Sequence, residues 1–265
     1  MLFWSRRARL AVWTVFALVV LIVFVAPIAT VVVAGFAGSW TGPLPANLGL
    51  AHFGDALSGD NIASLSVSLQ TAIISGGVAL VLGTWAALAA REAPTPIRRM
   101  VDGVFHLPIA VPSVAIGLGL LISFNSRPLL LGGTKWIVIV AHTVLVLAFA
   151  FSAVSAAAER LDPAFAQAAQ SLGAGPYRVL TRVTLPLLLP ALGAAAGLAV
   201  ALSMGELGAT VMVYPATWKT LPVSIFGLSD RGQVFSAAAC TAVLLAATLV
   251  ALVGLGSIRS RAAAR

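Results

Sequence analysis

The sequence predicts an all-helical membrane protein of six spans, and three observations carry that prediction. Of 265 residues, 60% are hydrophobic and only 9% are charged, where a soluble domain carries about 25% charged residues. The charges stand in small groups between six uncharged stretches, each at or beyond the roughly 20 helical residues that cross a hydrocarbon core of about 30 Å. These stretches are continuous runs of Ala, Leu and Val. They lack the alternating polarity that transmembrane β-strands need.

The spans fall at residues 10–36, 62–90, 103–126, 136–158, 183–205 and 232–258. Ser5-Arg6-Arg7 before the first span resembles part of a twin-arginine signal, and small residues near Gly35 and Ala37 loosely resemble a cleavage site. The apolar run is nevertheless about twice the 7 to 15 residues of a signal core, which predicts an uncleaved span. Pro108 and Pro112 interrupt the third span, and Pro186 and Pro190 the start of the fifth. Such breaks survive in a bilayer only where protein or a wet cavity satisfies the freed backbone groups, so spans three and five are expected to face protein. The fourth span holds His142, with two readings open: lining something wet, or hydrogen-bonding a neighbouring helix. Gly193 and Gly197 have the spacing of a close helix approach. The fifth span ends at Gly205 with a possible extension past Glu206, the one acid within the spans. Cys240 in the sixth is read as a small core hydrophobe.

Orientation follows from the basic residues, which are retained on the cytoplasmic side. The N-terminus, the second and fourth connections and the tail hold Arg6, Arg7, Arg9, Arg91, Arg98, Arg99, Arg160, Arg178, Arg182, Arg259, Arg261 and Arg265, twelve in all. The opposite side holds four: Arg127, Lys135, Lys219 and Arg231. Both termini are therefore expected in the cytoplasm. The net charge of +8 belongs to these flanks, and no nucleic-acid partner is expected.

Catalytic signatures are missing. Neither Lys135 nor Lys219 follows a glycine, so the chain has no phosphate-cradling loop of the G-x-x-x-x-G-K-[ST] type. His52, His106 and His142 have no metal-ligand spacing, and structural roles are expected for them. The chain is expected to be neither an enzyme nor a metal or cofactor binder.

Between spans four and five lies a segment with its own start and stop signals. Asp162 suits an N-cap, Pro163 the first helical position and Gly173 a left-handed C-terminus, which predicts a short cytoplasmic helix at about 163–173. An Ala-rich helix that short is marginal in water and depends on packing against something. Phe165 and Leu172 share a face that Ala168 and Ala169 keep thin, the shape of a docking knob.

This segment resembles the EAA loop of binding-protein-dependent ABC importer permeases. Gln167-Ala168-Ala169 supplies the triplet, Gly173 follows at the family's spacing and Val183-Thr184-Leu185-Pro186 closes the pattern; Gln167 departs from it, standing where the family usually has Glu. Leu107 through Pro112 with Gly117-Leu118-Gly119 looks like the family's third span, and Ser64 to Arg91 like the opening of its shared core. The stretches from Gly205 to Pro215, from Thr220 to Phe226 and from Asp230 to Gly232 look most like permeases for 2-aminoethylphosphonate uptake; iron(III), polyamine and thiamine importers have related segments.

The resemblance implies a type I importer permease fold formed by residues 1–265 as one domain of a bacterial inner-membrane transporter. It implies four partners besides lipid: two ATPase subunits that bind ATP and Mg, a second permease half, identical or homologous, and a periplasmic substrate-binding protein. Phe165, Gln167, Ala168, Ala169, Leu172 and Gly173 become the residues that couple to the ATPase. Three roles are open to Glu206: contacting the ammonium of an aminophosphonate, gating the pore, or hydrogen-bonding a helix end. The rival from another class is a proton-coupled secondary transporter titrating Glu206, and a membrane scaffold is a third.

Overall fold

A computed structural model describes residues 6–263. Ser5 and Arg265, with the side chains of Arg7, Arg259 and Arg261, lie outside the described residues. Among these residues there is no strand; Ser39 and Ala46 form an isolated antiparallel bridge. The chain divides into two compact units, residues 1–62 with 224–245 and residues 63–223 with 246–265.

In the first unit, α1 (Arg6–Val20) and α2 (Ala26–Phe36) run on through a π-helical turn, Leu21–Val25. The apolar stretch Ala8–Phe36 is long enough to span. Trp13, Ile22 and Phe24 are each more than half exposed, as befits a helix apolar all round whose solvent is lipid. Its last turn packs on α3 (Ala51–Ala56), with Phe36 and Phe53 ring centroids 4.5 Å apart. Gly35 lets α13 (Val234–Ala263) come near, since a Cβ there would stand 3.0 Å from the Ala239 Cα. His52 Nδ1 is 3.1 Å from the Ser236 hydroxyl.

The second unit is built around α7 (Lys135–Glu159), buried along most of its length. The Thr134 hydroxyl starts this helix by accepting from the Trp136 amide. On one side α4 (Gly59–Glu92) comes close enough that a Cβ on Gly83 would sit 2.9 Å from the Phe151 nitrogen. On another, α10 (Leu185–Met204) packs Leu188, Ala195 and Ala199 against α7. Gly197, of the predicted small-residue pair, meets Leu252 of α13 at Cβ contact distance.

The prolines act differently from expectation. The third span is two helices, α5 (Thr95–Ala110) and α6 (Ser113–Ser123), bent by 104°. The break lies at Val111, held extended at φ −104° and ψ 130° ahead of Pro112, because a residue before proline is driven out of the helical region. Pro108 stays inside α5 and Pro190 inside α10 without ending either helix. The apolar run of the fifth span covers Pro176–Met204, beginning with α9 (Pro176–Val179) and a π turn, Leu180–Thr184. That run ends at Gly205, after which the short α11 (Gly208–Val213) begins.

Candidate functional site: a cavity at two helix breaks and an exposed short helix

The broken halves meet each other. A Cβ on Gly117 of α6 would lie 2.7 Å from the Ala209 carbonyl oxygen of α11. One on Gly208 would collide with the Ser113 hydroxyl. Two glycines thus allow backbone-to-backbone packing where side chains would hold α6 and α11 apart.

Beside this pair lies a cavity of about 200 Å³ whose walls include Pro108, Val111, Ser113, His142, Ser203 and Glu206. The bend between α5 and α6 and the turn between α10 and α11 both border it. Glu206 is half-buried there, and its Oε1 accepts from the Ala209 amide at 2.8 Å, satisfying a donor at the start of α11.

His142 is 1% exposed and spans the α10–α11 break. Its Nδ1 lies 2.7 Å from the Ser203 hydroxyl and its Nε2 2.8 Å from the Thr210 hydroxyl. Hydroxyls can donate or accept, so they complete a ring with one N–H and one lone pair in either tautomer. His142 therefore bonds neighbouring segments, as one of the two readings expected, and it also borders the cavity. Ser203 is also 3.2 Å from Ser75 of α4, and Thr210 donates to the Glu206 carbonyl oxygen at 3.3 Å.

The sequence reading missed the rest of this network. Ser64, Ser68, Thr71 and Ser75 recur at helical spacing on α4 and are all buried. The Ser68 hydroxyl accepts from the Leu221 amide at 2.8 Å, and Thr71 accepts from the Trp218 indole N–H at 2.9 Å. A stripe of hydroxyls in an apolar helix was the available signal. Lys135 Nζ lies 5.2 Å from the Trp136 ring and 5.3 Å from the Trp218 ring, within the range of cation–π attraction.

At the other end of the unit stands the short helix α8 (Pro163–Ser171). Asp162 Oδ1 accepts from the Ala164 amide at 2.9 Å, and Pro163 occupies the first turn. Gly173 has φ +84°. The Ala174 amide donates to the Ala169 carbonyl and the Gly173 amide to that of Gln170, at 3.0 and 2.9 Å. That pairing is the Schellman closure. Phe165 is 56% exposed and Leu172 89%, two large apolar side chains without cover. The approach to α8 is fixed by Arg91, which donates to the Leu161 carbonyl at 2.9 Å, and by the Arg98–Glu159 ion pair.

The pattern of the family described as "Binding-protein-dependent transport system inner membrane component" matches residues 79–262. The 2-aminoethylphosphonate transport system permease protein PhnV of Salmonella paratyphi A is 44% identical over 261 residues, covering 98% of each chain. The molybdenum transport system permease protein ModB of Escherichia coli K12 is 32% identical over 172 residues, 59% of this chain and 75% of its own. Among solved structures, a bacterial alginate ABC transporter in complex with alginate pentasaccharide-bound periplasmic protein has a chain matching at TM-score 0.77 and 19% identity, covering 97% of this chain and 96% of that one. A chain of the MetNI methionine ABC transporter in an inward-facing conformation matches at TM-score 0.58 and 17% identity, covering 76% and 93%. These two likenesses concern the fold.

Proposed function

The chain belongs to the family of inner membrane components of binding-protein-dependent transport systems, and from that premise we propose that it is half of a translocation pore driven through α8 by a separate ATPase. A permease component of an ABC importer is a transport subunit and not an enzyme. Two ATPase subunits bind ATP and Mg, a second permease half completes the pore, and a periplasmic binding protein delivers the solute. Both termini face the cytoplasm, on the side of the twelve basic residues.

The observation that carries this reading is the uncovered α8 knob. Exposing Phe165 and Leu172 on a helix of nine residues leaves apolar area unburied in water at about 25 cal/mol per Å². A cleft in a partner recovers that energy. Phe165, Ala168, Ala169 and Leu172 form the contact, Gln167 meets it without a charge, and Gly173 closes the helix.

The substrate is a small phosphonate of the 2-aminoethylphosphonate type, supported by the full-length similarity to PhnV. Glu206 lies on the solute pathway. Its carboxylate borders the cavity at the two breaks, the position at which discontinuous helices hold substrates in other transporters.

The decisive experiment is copurification. Leu172→Asp, and separately deletion of residues 163–173, should abolish retention of the ATPase and ATP-dependent uptake while membrane insertion persists. Wild-type ATPase stoichiometry in either variant refutes the docking role. Exchanging the binding protein's ligand for ethylphosphonate, which lacks the amine, tests the substrate separately.

A further inference from the structure

α4 is longer than a bilayer is thick. Its 34 residues rise about 51 Å against a hydrocarbon core of about 30 Å. Toward its C-terminal end, Leu80, Val81, Thr84, Trp85 and Leu88 form one wall of a groove of about 250 Å³, and Leu180, Leu185 and Leu192 form the other. The groove is apolar throughout, because the Thr84 hydroxyl is turned back onto the Leu80 carbonyl at 2.6 Å. Trp85, 70% exposed, stands at its rim.

A second cavity of about 360 Å³ shares Leu88 and Leu180 with the groove and adds charged residues to its walls. Arg91, Glu92, Gln170 and Thr184 line it, together with Pro163 and Ala166 of α8. Leu180 and Thr184 open and close the π turn of the fifth span, a widened helical turn of a kind found often at functional sites. The distance from Leu80 to Arg91 along α4 is about 16 Å, one leaflet's share of the hydrocarbon core.

An apolar groove one leaflet deep, beside a cavity that carries an arginine and a glutamate on otherwise largely apolar walls, suits a single phospholipid. The charges specify which kind. Arg91 gives one N–H to the Leu161 carbonyl, and a guanidinium has further donors in the same fork for a phosphodiester. Glu92, beside it, only accepts and suits a primary ammonium. We propose that this is a binding site for an aminophospholipid, its acyl chain along Leu80–Leu88, its phosphate on Arg91 and its ammonium on Glu92. Because α8 forms part of the chamber, the bound lipid braces the docking helix against α4. Uptake then requires the aminophospholipid. This inference is independent of the solute and of Glu206.

The test uses the whole transporter, permease with ATPase, exchanged into phosphatidylethanolamine, phosphatidylcholine or phosphatidylglycerol and read by native mass spectrometry. Phosphatidylethanolamine should survive delipidation at one molecule per permease chain, and the other two lipids should be lost. Glu92→Gln should weaken retention about tenfold, the effect of one charge-assisted contact, and Val81→Trp, which fills the groove from an exposed position, should weaken it by occupying the acyl chain's space. Uptake in phosphatidylcholine proteoliposomes should fall by a similar factor and return when phosphatidylethanolamine is added. Equal retention of all three lipids, or wild-type retention by Val81→Trp, overturns the proposal. So does a disulfide from Cys placed at residue 81 to the second permease chain, which would make the groove a protein interface. Loss of the ATPase alone from Glu92→Gln, with lipid retained, overturns it as well.

Discussion

Replacing His142 by Phe keeps a planar ring, somewhat larger, in a position that is 1% exposed and removes two hydrogen bonds, of 2.7 and 2.8 Å. If both hydroxyls were orphaned, each would cost about 1–3 kcal/mol. They are not, because Ser203 keeps Ser75 and Thr210 keeps the Glu206 carbonyl. The loss is then that of two net hydrogen bonds, which within membranes average about 0.6 kcal/mol each and reach about 1.7. His142→Phe should therefore destabilise by about 1–3 kcal/mol, read as the shift of a denaturant midpoint of the purified permease in nanodiscs. Adding Ser203→Ala should cost less in the variant than in the wild type, giving a coupling energy of about 0.5 kcal/mol or more. Full additivity, or a single-variant change within the usual error of about 0.5 kcal/mol, would refute the view that His142 ties α10 to α11.

Four other outcomes follow from the same geometry. Gly117→Ala forces a methyl against the Ala209 backbone and should lower stability by about 1–3 kcal/mol, visible as a reduced thermal midpoint; an unchanged midpoint removes the close approach of α6 and α11. Asp162→Ala deletes the α8 cap, at about 1 kcal/mol, and should lower uptake per ATP hydrolysed in proteoliposomes, whereas an unchanged ratio would show that the cap is irrelevant to coupling. Glu206→Gln should alter uptake rate or the preference for aminated over plain phosphonates; transport identical in both respects takes it off the pathway. Glu159→Gln breaks an ion pair whose side chains are 41% and 48% exposed, and should change stability by under about 1 kcal/mol by the same denaturant assay.

The parts of this fold that could be read from the sequence are those governed by local rules. Uncharged length located the spans, and Asp162, Pro163 and Gly173 located α8, because caps act within one or two turns. Proline was harder. The sequence marks Pro108, Pro112, Pro186 and Pro190 alike, yet only the residue before Pro112 left the helix, since whether a missing N–H is tolerated depends on what packs beside it. For the same reason the cavity was half visible. Glu206 stood out as a lone acid, whereas its neighbours Ser203 and Thr210 are unremarkable until His142, some sixty residues away, folds between them.

The run from Pro176 to Met204 is 29 residues long, a stiff rod of about 43 Å with the Arg178 end beside α8 and the Ser203 end at the cavity wall. Tilting such a rod by about 10° about one end sweeps the other through about 7 Å, more than the width of a water molecule. Under the proposed coupling, motor stroke and pore aperture are two readings of a single angle. A lesion that lets the rod swing freely would show itself twice, as solute leaking without fuel and as fuel burned without solute.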